Sequence, residues 1–277
     1  MNGTENWKPN RIAILGAGNI GQAIAKGLVK EGLFIPSQIT LTRRSTELLA
    51  PLGEKGFTVQ ADNVAAVKEA DLVIVAVGPR EIEELLREIA GSLLPDRQIV
   101  VSTVTGVTIE EIKNWLATEV PVVRIMPNTA IAVGESMTCL TSYPEYSESL
   151  LRVKAVFEKV GHTLVISEEL MTPATALGAS GLAFFLRSIR AASQGGTEIG
   201  FHAGDAIQIA AQTAKGAASL LLNSNTHPEA EIDNVTTPRG ITIAGLNEME
   251  HQGFSSAMIK GIVTSANKVA RLFNDKH

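Results

Sequence analysis

Arg11-Ile12-Ala13-Ile14-Leu15-Gly16-Ala17-Gly18-Asn19-Ile20-Gly21-Gln22 is the stretch that decides the fold. Arg11 to Leu15 is a short apolar run of the kind that forms a buried parallel strand. It leads straight into a G-x-G-x-x-G turn, and then into a helical pattern from Gln22 to Lys30 with Gly32 placed as its C-cap. The glycines have separate tasks: a tight turn at Gly16, close approach of a pyrophosphate at Gly18, close packing of helix on strand at Gly21. Ala17, Asn19 and Ile20 belong with them to the expected cofactor-binding turn. A glycine-rich turn without a ligand is the bland alternative, but the strand before and the helix after favour a dinucleotide.

Which dinucleotide is decided further along. The second strand is expected at Gln38 to Thr42, and an NAD site would place Asp or Glu near its end. The chain instead reads Thr42-Arg43-Arg44-Ser45-Thr46. Two guanidiniums and two hydroxyls suit a 2′-phosphate, and no carboxylate is placed to repel it. Arg43, Arg44 and Ser45 therefore point to NADPH, against the alternative of two solvated surface arginines.

Further strands are expected at Phe57 to Gln60, Asp71 to Val77, Gln98 to Val104, Val122 to Met126, Met137 to Thr141 and Thr163 to Ser167. Between them lie helices at Arg80 to Ala90, from the capping box Thr108-Ile109-Glu110-Glu111, and over Pro144 to Val160. This alternation argues a doubly wound α/β sheet. Ala76-Val77-Gly78-Pro79 follows the fourth strand and should face the cofactor, because ligands bind beyond the carboxyl ends of such strands. Asn63 is either a ribose contact or a polar residue near a helix N-cap.

Strand patterns stop at Ser167. Long helical stretches follow, Met171 to Thr197, Ala203 to Leu222 and Ala244 to Leu272. The expected architecture is therefore an N-terminal Rossmann-type doubly wound sheet, residues 1–167, followed by an all-α dimerisation domain, residues 168–277. Ala206 to Leu222 is apolar on nearly all sides, so it must be buried all round. Either it is the centre of a monomeric bundle or a second subunit covers it; the short helical region favours a homodimer. In the same half, Pro238 and Gly240 break the chain within Val235-Thr236-Thr237-Pro238-Arg239-Gly240-Ile241-Thr242. The residues from Ile241 resume a helix, so the N–H groups of Gly240, Ile241 and Thr242 form either an anion site or an ordinary cap. The hydroxyls of Thr237 and Thr242 stand beside it.

Composition excludes several classes. With 24 basic against 29 acidic residues and 4% aromatics, there is neither a basic stripe nor a stacking platform for nucleic acid. No apolar run reaches the ~20 residues of a membrane span, and Met1 to Asn10 reads as a polar frayed tail without a signal-peptide core. A cytosolic location is expected. The single cysteine, Cys139, lies in an apolar run and reads as a buried inert thiol. The histidines show no metal-ligand spacing, so no metal is expected.

Several of these segments, in order along the chain, resemble the pyrroline-5-carboxylate reductase family. Val235 to Thr242 is similar to the family's Thr-Ser-Pro-Gly-Gly-Thr-Thr loop, with Arg239 and Ile241 at two of its small positions. Arg124-Ile125-Met126-Pro127-Asn128-Thr129 resembles its Met-Pro-Asn-Thr segment, and Gln212-Thr213-Ala214-Lys215-Gly216-Ala217 its Gln-Thr-x-x-Gly-Ala. Met171-Thr172-Pro173-Ala174-Thr175-Ala176-Leu177-Gly178-Ala179-Ser180-Gly181 resembles the family's entry to its second domain, where Leu182 and Phe184 replace Pro and Tyr. Gly78 stands where the family has a lysine, and Arg80 is the one nearby cation to substitute. The resemblance implies hydride transfer from NADPH to a cyclic imine carboxylate, 1-pyrroline-5-carboxylate, giving proline. It implies Asn128 and Asn63 on the cofactor, and Ser180, Thr237, Arg239, Gly240 and Ile241 around the substrate. Thr242 would hydrogen-bond the ring nitrogen. Arg239 either reaches the carboxylate or points to solvent. A β-hydroxyacid dehydrogenase would need a lysine on the first long helix of the second domain, where this chain has Arg187 and Arg190. A non-catalytic NADP-binding regulator is the other alternative, kept open by Gly78, Arg239 and Ile241.

Overall fold

The computed structural model describes Trp7, residues 9–224 and residues 226–274. Its eight strands are β1 (Ile12–Leu15), β2 (Ile39–Thr42), β3 (Thr58–Gln60), β4 (Leu72–Val75), β5 (Ile99–Ser102), β6 (Val122–Met126), β7 (Ser136–Ser142) and β8 (Gly161–Val165). They form one sheet in the order β3-β2-β1-β4-β5-β6-β7-β8, parallel throughout except for the antiparallel β6–β7 pair. Between the strands lie α1 (Asn19–Lys30), α2 (Ala50–Gly53), α3 (Asn63–Glu69), α4 (Ile82–Ile89), α5 (Ile109–Leu116) and α6 (Ser147–Phe157).

Every residue of β1, β4 and β5 is buried, which is why these strands read as unbroken apolar runs. Their side chains alternate between two cores. Ile12 and Ile14 face α1 through Ile24 and Leu28, and the same core holds Val153 and Phe157 of α6. Ala13 and Leu15 face the other core, with Val67 of α3, Ile82 and Leu86 of α4, and Ile109 and Ile112 of α5. Each fully buried Leu or Ile contributes up to about 1.5–3 kcal/mol. The capping box at α5 is present, with Thr108 accepting from Glu111 N at 3.1 Å and Glu111 accepting from Thr108 N at 2.7 Å. The frayed tail expected for Met1 to Asn10 lies partly outside the described residues and is corrected at Trp7 and Asn10. Trp7 packs on the first core under the Arg152 guanidinium, 5.5 Å from the ring centroid, and Asn10 N–H donates to Asp71 at 2.7 Å.

β6 carries a charge into the sheet. Arg124 is 4% exposed and pairs with Glu168 at 2.7 Å. The same Glu168 oxygen accepts the Ile109 N–H at the start of α5, at 2.7 Å. One carboxylate thus ties the end of the sheet to the chain that begins the helical half.

The helices of that half are α7 (Met171–Ala174), α8 (Gly181–Glu198), α9 (Ala203–Ser224), α10 (Pro228–Asn234), α11 (Ile241–His251) and α12 (Phe254–Asn274). The continuous helix expected over Met171 to Thr197 is interrupted by a π segment, Thr175–Ser180. The helix expected over Ala244 to Leu272 is two, broken at Gly253, whose φ of +81° no helix accepts. The short α10, begun by Pro228, has no counterpart in the sequence reading. α8 and α9 pack together closely, a Cβ on Gly196 lying 3.2 Å from that of Ala206. Along α9 only Ala206 is buried, so within one chain its apolar sides stay uncovered. By contact the chain divides into two compact units: one runs to Ala179 and resumes from Ala266, and the other is Ser180–Ser265. By length and composition alone the 31-residue helical run Glu168–Glu198 is long and apolar enough to cross a membrane, an 18-residue window within it having mean hydropathy 1.2. Arg187 and Arg190 stand within it.

Gly27 of α1 sits against the turn Thr129–Val133, where an added Cβ would lie 2.2 Å from the Ile131 carbonyl oxygen. Gly27→Ala should destabilise the protein by about 2–3 kcal/mol and lower the thermal midpoint by several degrees. Gly91→Ala, with nothing within 4 Å, serves as the control and should be neutral. Equal midpoints for the two variants would contradict this packing.

Candidate functional site

A cavity of about 480 Å³ opens beyond the carboxyl ends of β1, β2 and β4. It lies where the chain order turns from β1-β2-β3 to β4-β5-β6, the crevice that doubly wound sheets offer to ligands. The glycine turn forms its floor. Gly16 has φ +83°, and its N–H and that of Ala17 both donate to the Thr42 carbonyl, at 3.1 and 2.8 Å. A Cβ on Gly16 would lie 2.3 Å from Val77 Cγ1, and one on Gly21 would lie 3.0 Å from Ile14 Cγ2. A Cβ on Gly18 would meet nothing closer than the Gly16 oxygen at 3.9 Å, so the backbone is open on that side. α1 has no side-chain cap, and its first bond is Gln22 N–H to Gly18 O at 3.0 Å. The amides of Asn19, Ile20 and Gly21 come before that bond, at the positive end of the helix dipole. These features fit a pyrophosphate.

Arg43, Arg44 and Ser45 line the cavity after β2, and Ala76, Val77 and Gly78 line it after β4. Asn63 lines it too. The N-cap of α3 is Asp62, which accepts from Ala65 N at 2.9 Å. Asn63 is thereby left to accept the Thr42 hydroxyl at 2.6 Å and to donate to Glu88 at 3.0 Å. Of the other residues expected at the cofactor, Ala17, Asn19, Ile20, Gly21, Pro79 and Asn128 are not among the lining residues. Ala17 is fully buried, and Gly21 serves helix packing. Asn128 is 9% exposed, takes the Ala130 N–H at 3.0 Å and donates to the Gly178 carbonyl of the π segment at 3.0 Å.

The cavity holds residues that the sequence reading missed: Thr42, Ala61, Glu81, Glu84, Leu85 and Glu88. The expectation that no carboxylate opposes a 2′-phosphate is corrected, because Glu81, Glu84 and Glu88 line the same cleft and Glu81 forms an ion pair with Arg44. Their spacing of three and four residues on the Arg80–Ala90 helix was the available signal. Arg80, the substitute cation, is exposed and does not line the cavity.

In the helical half, Thr237 to Gly240 forms a tight turn closed by Gly240 N–H to Thr237 O at 2.9 Å. Pro238 takes the second position and Arg239 the third, at φ +61°, where a type II turn prefers glycine. Gly240 caps α11 with no side-chain bond, so the first amides of that helix lack a cap. The space a Cβ on Gly240 would need is filled by Thr237, whose Oγ1 lies 2.4 Å from that point, rather than left to a ligand. Thr237 and Arg239 are exposed, Ile241 is 93% exposed, and Thr242 is half-buried. Ser180 is the last residue of the π segment. Cys139 is 8% exposed, and burial pushes its thiol pKa up, away from nucleophilic use.

Residues 11–106 match a family model described as NADP oxidoreductase, coenzyme F420-dependent. Residues 168–272 match that of pyrroline-5-carboxylate reductase dimerisation. The helical half is thus a dimerisation domain, and a second copy of the chain is the partner that its uncovered apolar sides require. Pyrroline-5-carboxylate reductase 1 of Dictyostelium discoideum is 52% identical over 96% of this chain, which spans 50% of that relative's length. Pyrroline-5-carboxylate reductase 2 of the same organism is 46% identical over 98% of the chain and 96% of the relative. Among solved structures, a pyrroline carboxylate reductase of Plasmodium falciparum with NADP bound superposes with a TM-score of 0.85, at 22% identity, over 98% of this chain and 100% of its own, which bears on the fold alone. On the strength of the full-length relative, the chain belongs to the pyrroline-5-carboxylate reductase family.

Proposed function

We propose that the protein reduces 1-pyrroline-5-carboxylate to L-proline with NADPH, in the cytoplasm. The nucleotide would occupy residues 1–167 and the substrate the dimerisation domain, residues 168–277. The observation that carries the cofactor reading is the open backbone at Gly18 beside the uncapped start of α1, with Arg43 and Arg44 across the same cavity. Asn19, Ile20 and Gly21 would hold the pyrophosphate through their amides, and Ala17 holds the turn in shape through Thr42. Arg43, Arg44 and Ser45 would take the 2′-phosphate, Asn63 a ribose hydroxyl, and Ala76 to Pro79 the far wall. Asn128, bonded to the π segment, would stand near the nicotinamide. When bound, the cofactor supplies a hydride.

The substrate loop needs little acid–base chemistry. A cyclic imine protonates readily near neutral pH and then accepts hydride, so the work of the protein is positioning. The amides of Gly240, Ile241 and Thr242 would hold the carboxylate at the start of α11. Thr237 keeps the turn closed, Arg239 borders it, Ser180 adds a hydroxyl, and Thr242 would hydrogen-bond the ring nitrogen. A β-hydroxyacid dehydrogenase is disfavoured because α8 carries Arg187 and Arg190 but no lysine. A non-catalytic regulator is separated from the enzyme by one assay. Oxidation of NADPH that depends on pyrroline-5-carboxylate supports the enzyme; nucleotide binding without turnover supports the regulator.

Replacing Arg43 and Arg44 together by alanine should raise the KM for NADPH about tenfold or more, and that for NADH far less. Equal changes for the two cofactors would remove the 2′-phosphate assignment.

Gly240→Val should lower kcat/KM for the imine about a hundredfold by displacing Thr237 and opening the turn, with NADPH affinity unchanged. Thr242→Ala should cost about tenfold or less. The loop assignment fails if Gly240→Val retains full activity, or if it weakens NADPH binding as much as turnover.

A further inference from the structure

We propose that Glu81 sets the cofactor preference of the cleft by holding the Arg44 guanidinium, so that a 2′-phosphate must break an ion pair that NADH leaves intact. This deepens the NADP(H) reading of the cavity and rests on it. Glu81 is the N-cap residue of α4, and its two carboxylate oxygens do different things. Oε2 accepts the Gly78 N–H at 3.1 Å, which fastens the carboxylate to the loop after β4. Oε1 is thereby presented to Arg44, and the two form an ion pair across the cavity. Arg44 is otherwise held by little, since its side chain is 90% exposed. It is an exposed cation whose partner is an anchored anion.

Gly78 leaves room for this contact: a Cβ there would stand 3.1 Å from Oε2, so the carboxylate would have to shift by a few tenths of an ångström. Glu84 and Glu88 lie on the same face of α4 and line the same cavity. Glu88 is engaged by Asn63 at 3.0 Å. Glu81 is the one of the three paired with an arginine of the β2 end. A phosphate dianion arriving at Arg43 and Arg44 meets an Arg44 already paired with a carboxylate, so its attraction is reduced. The uncharged 2′-hydroxyl of NADH neither competes for Arg44 nor is repelled by Glu81.

The test is nucleotide binding to the full chain, read by nicotinamide fluorescence for NADPH and NADH. Glu81→Gln keeps an oxygen for the Gly78 N–H and removes the charge. It should tighten NADPH by about threefold to tenfold and leave NADH within about twofold. In an Arg44→Ala background the same change should lose at least half of its effect on NADPH. Glu81→Ala, which also frees the loop, distinguishes charge from anchoring. A shift seen with Glu81→Ala but not with Glu81→Gln overturns the proposal. It is equally overturned if Glu81→Gln shifts both nucleotides alike, or acts undiminished without Arg44. Wild-type protein that binds neither nucleotide overturns the reading of the cavity and the proposal with it. Wild-type binding with an unchanged NADPH-to-NADH ratio in Glu81→Gln overturns the proposal alone.

Discussion

The structure depends on the burial of both faces of a parallel sheet. Ile12 and Ile14 point into one core while Ala13 and Leu15 point into the other, so β1 needs helices on each side. The chain meets this by placing α1 and α6 on one face and α3, α4 and α5 on the other. From β1 the chain moves outward to β2 and β3, and from β4 it moves outward the other way to β5 and β6. The turns that leave β1 and β4 cannot close over each other at that point. The cavity between Gly16, Arg43 and Gly78 is the gap that results, and the same geometry brings the start of α1 to its floor.

What the sequence showed of this follows from how local each signal is. The strand, glycine turn and helix at Ile12 to Lys30 are contiguous, so periodicity and glycine spacing expose them directly. Arg43 to Ser45 were found because the second strand ends at a fixed place in the fold. Glu81, Glu84 and Glu88 were not, because their three- and four-residue spacing shows a shared face but not that this face meets the end of β2. The π segment at Thr175–Ser180 and the break at Gly253 also escaped, since both sit inside patterns that otherwise read as continuous helix. Asn63 was read two ways, and only the bond from the Ala65 N–H to the Asp62 carboxylate shows which residue caps the helix.

The substrate side is less fully specified by a single chain. α9 leaves most of its apolar surface open, and Ile241 is almost wholly exposed, as expected of a helical half that is completed by a second copy. The turn before α11 carries its own cost. Arg239 at φ +61° occupies a conformation that disfavours any residue with a Cβ by roughly 1–2 kcal/mol. Such strain is kept where the surrounding structure imposes it, commonly at ligand sites. The turn therefore holds its geometry against local preference.

Amide hydrogen exchange with and without NADPH tests the switch-point cavity most directly. Bound nucleotide should protect the amides of Asn19 to Gly21, Arg43 to Ser45 and Val77 to Gly78, and leave those of Gly161 to Thr163, at the opposite end of the sheet's order, unchanged. Saturating NADPH that protects none of the first three segments would contradict the assignment of this cavity as the cofactor site.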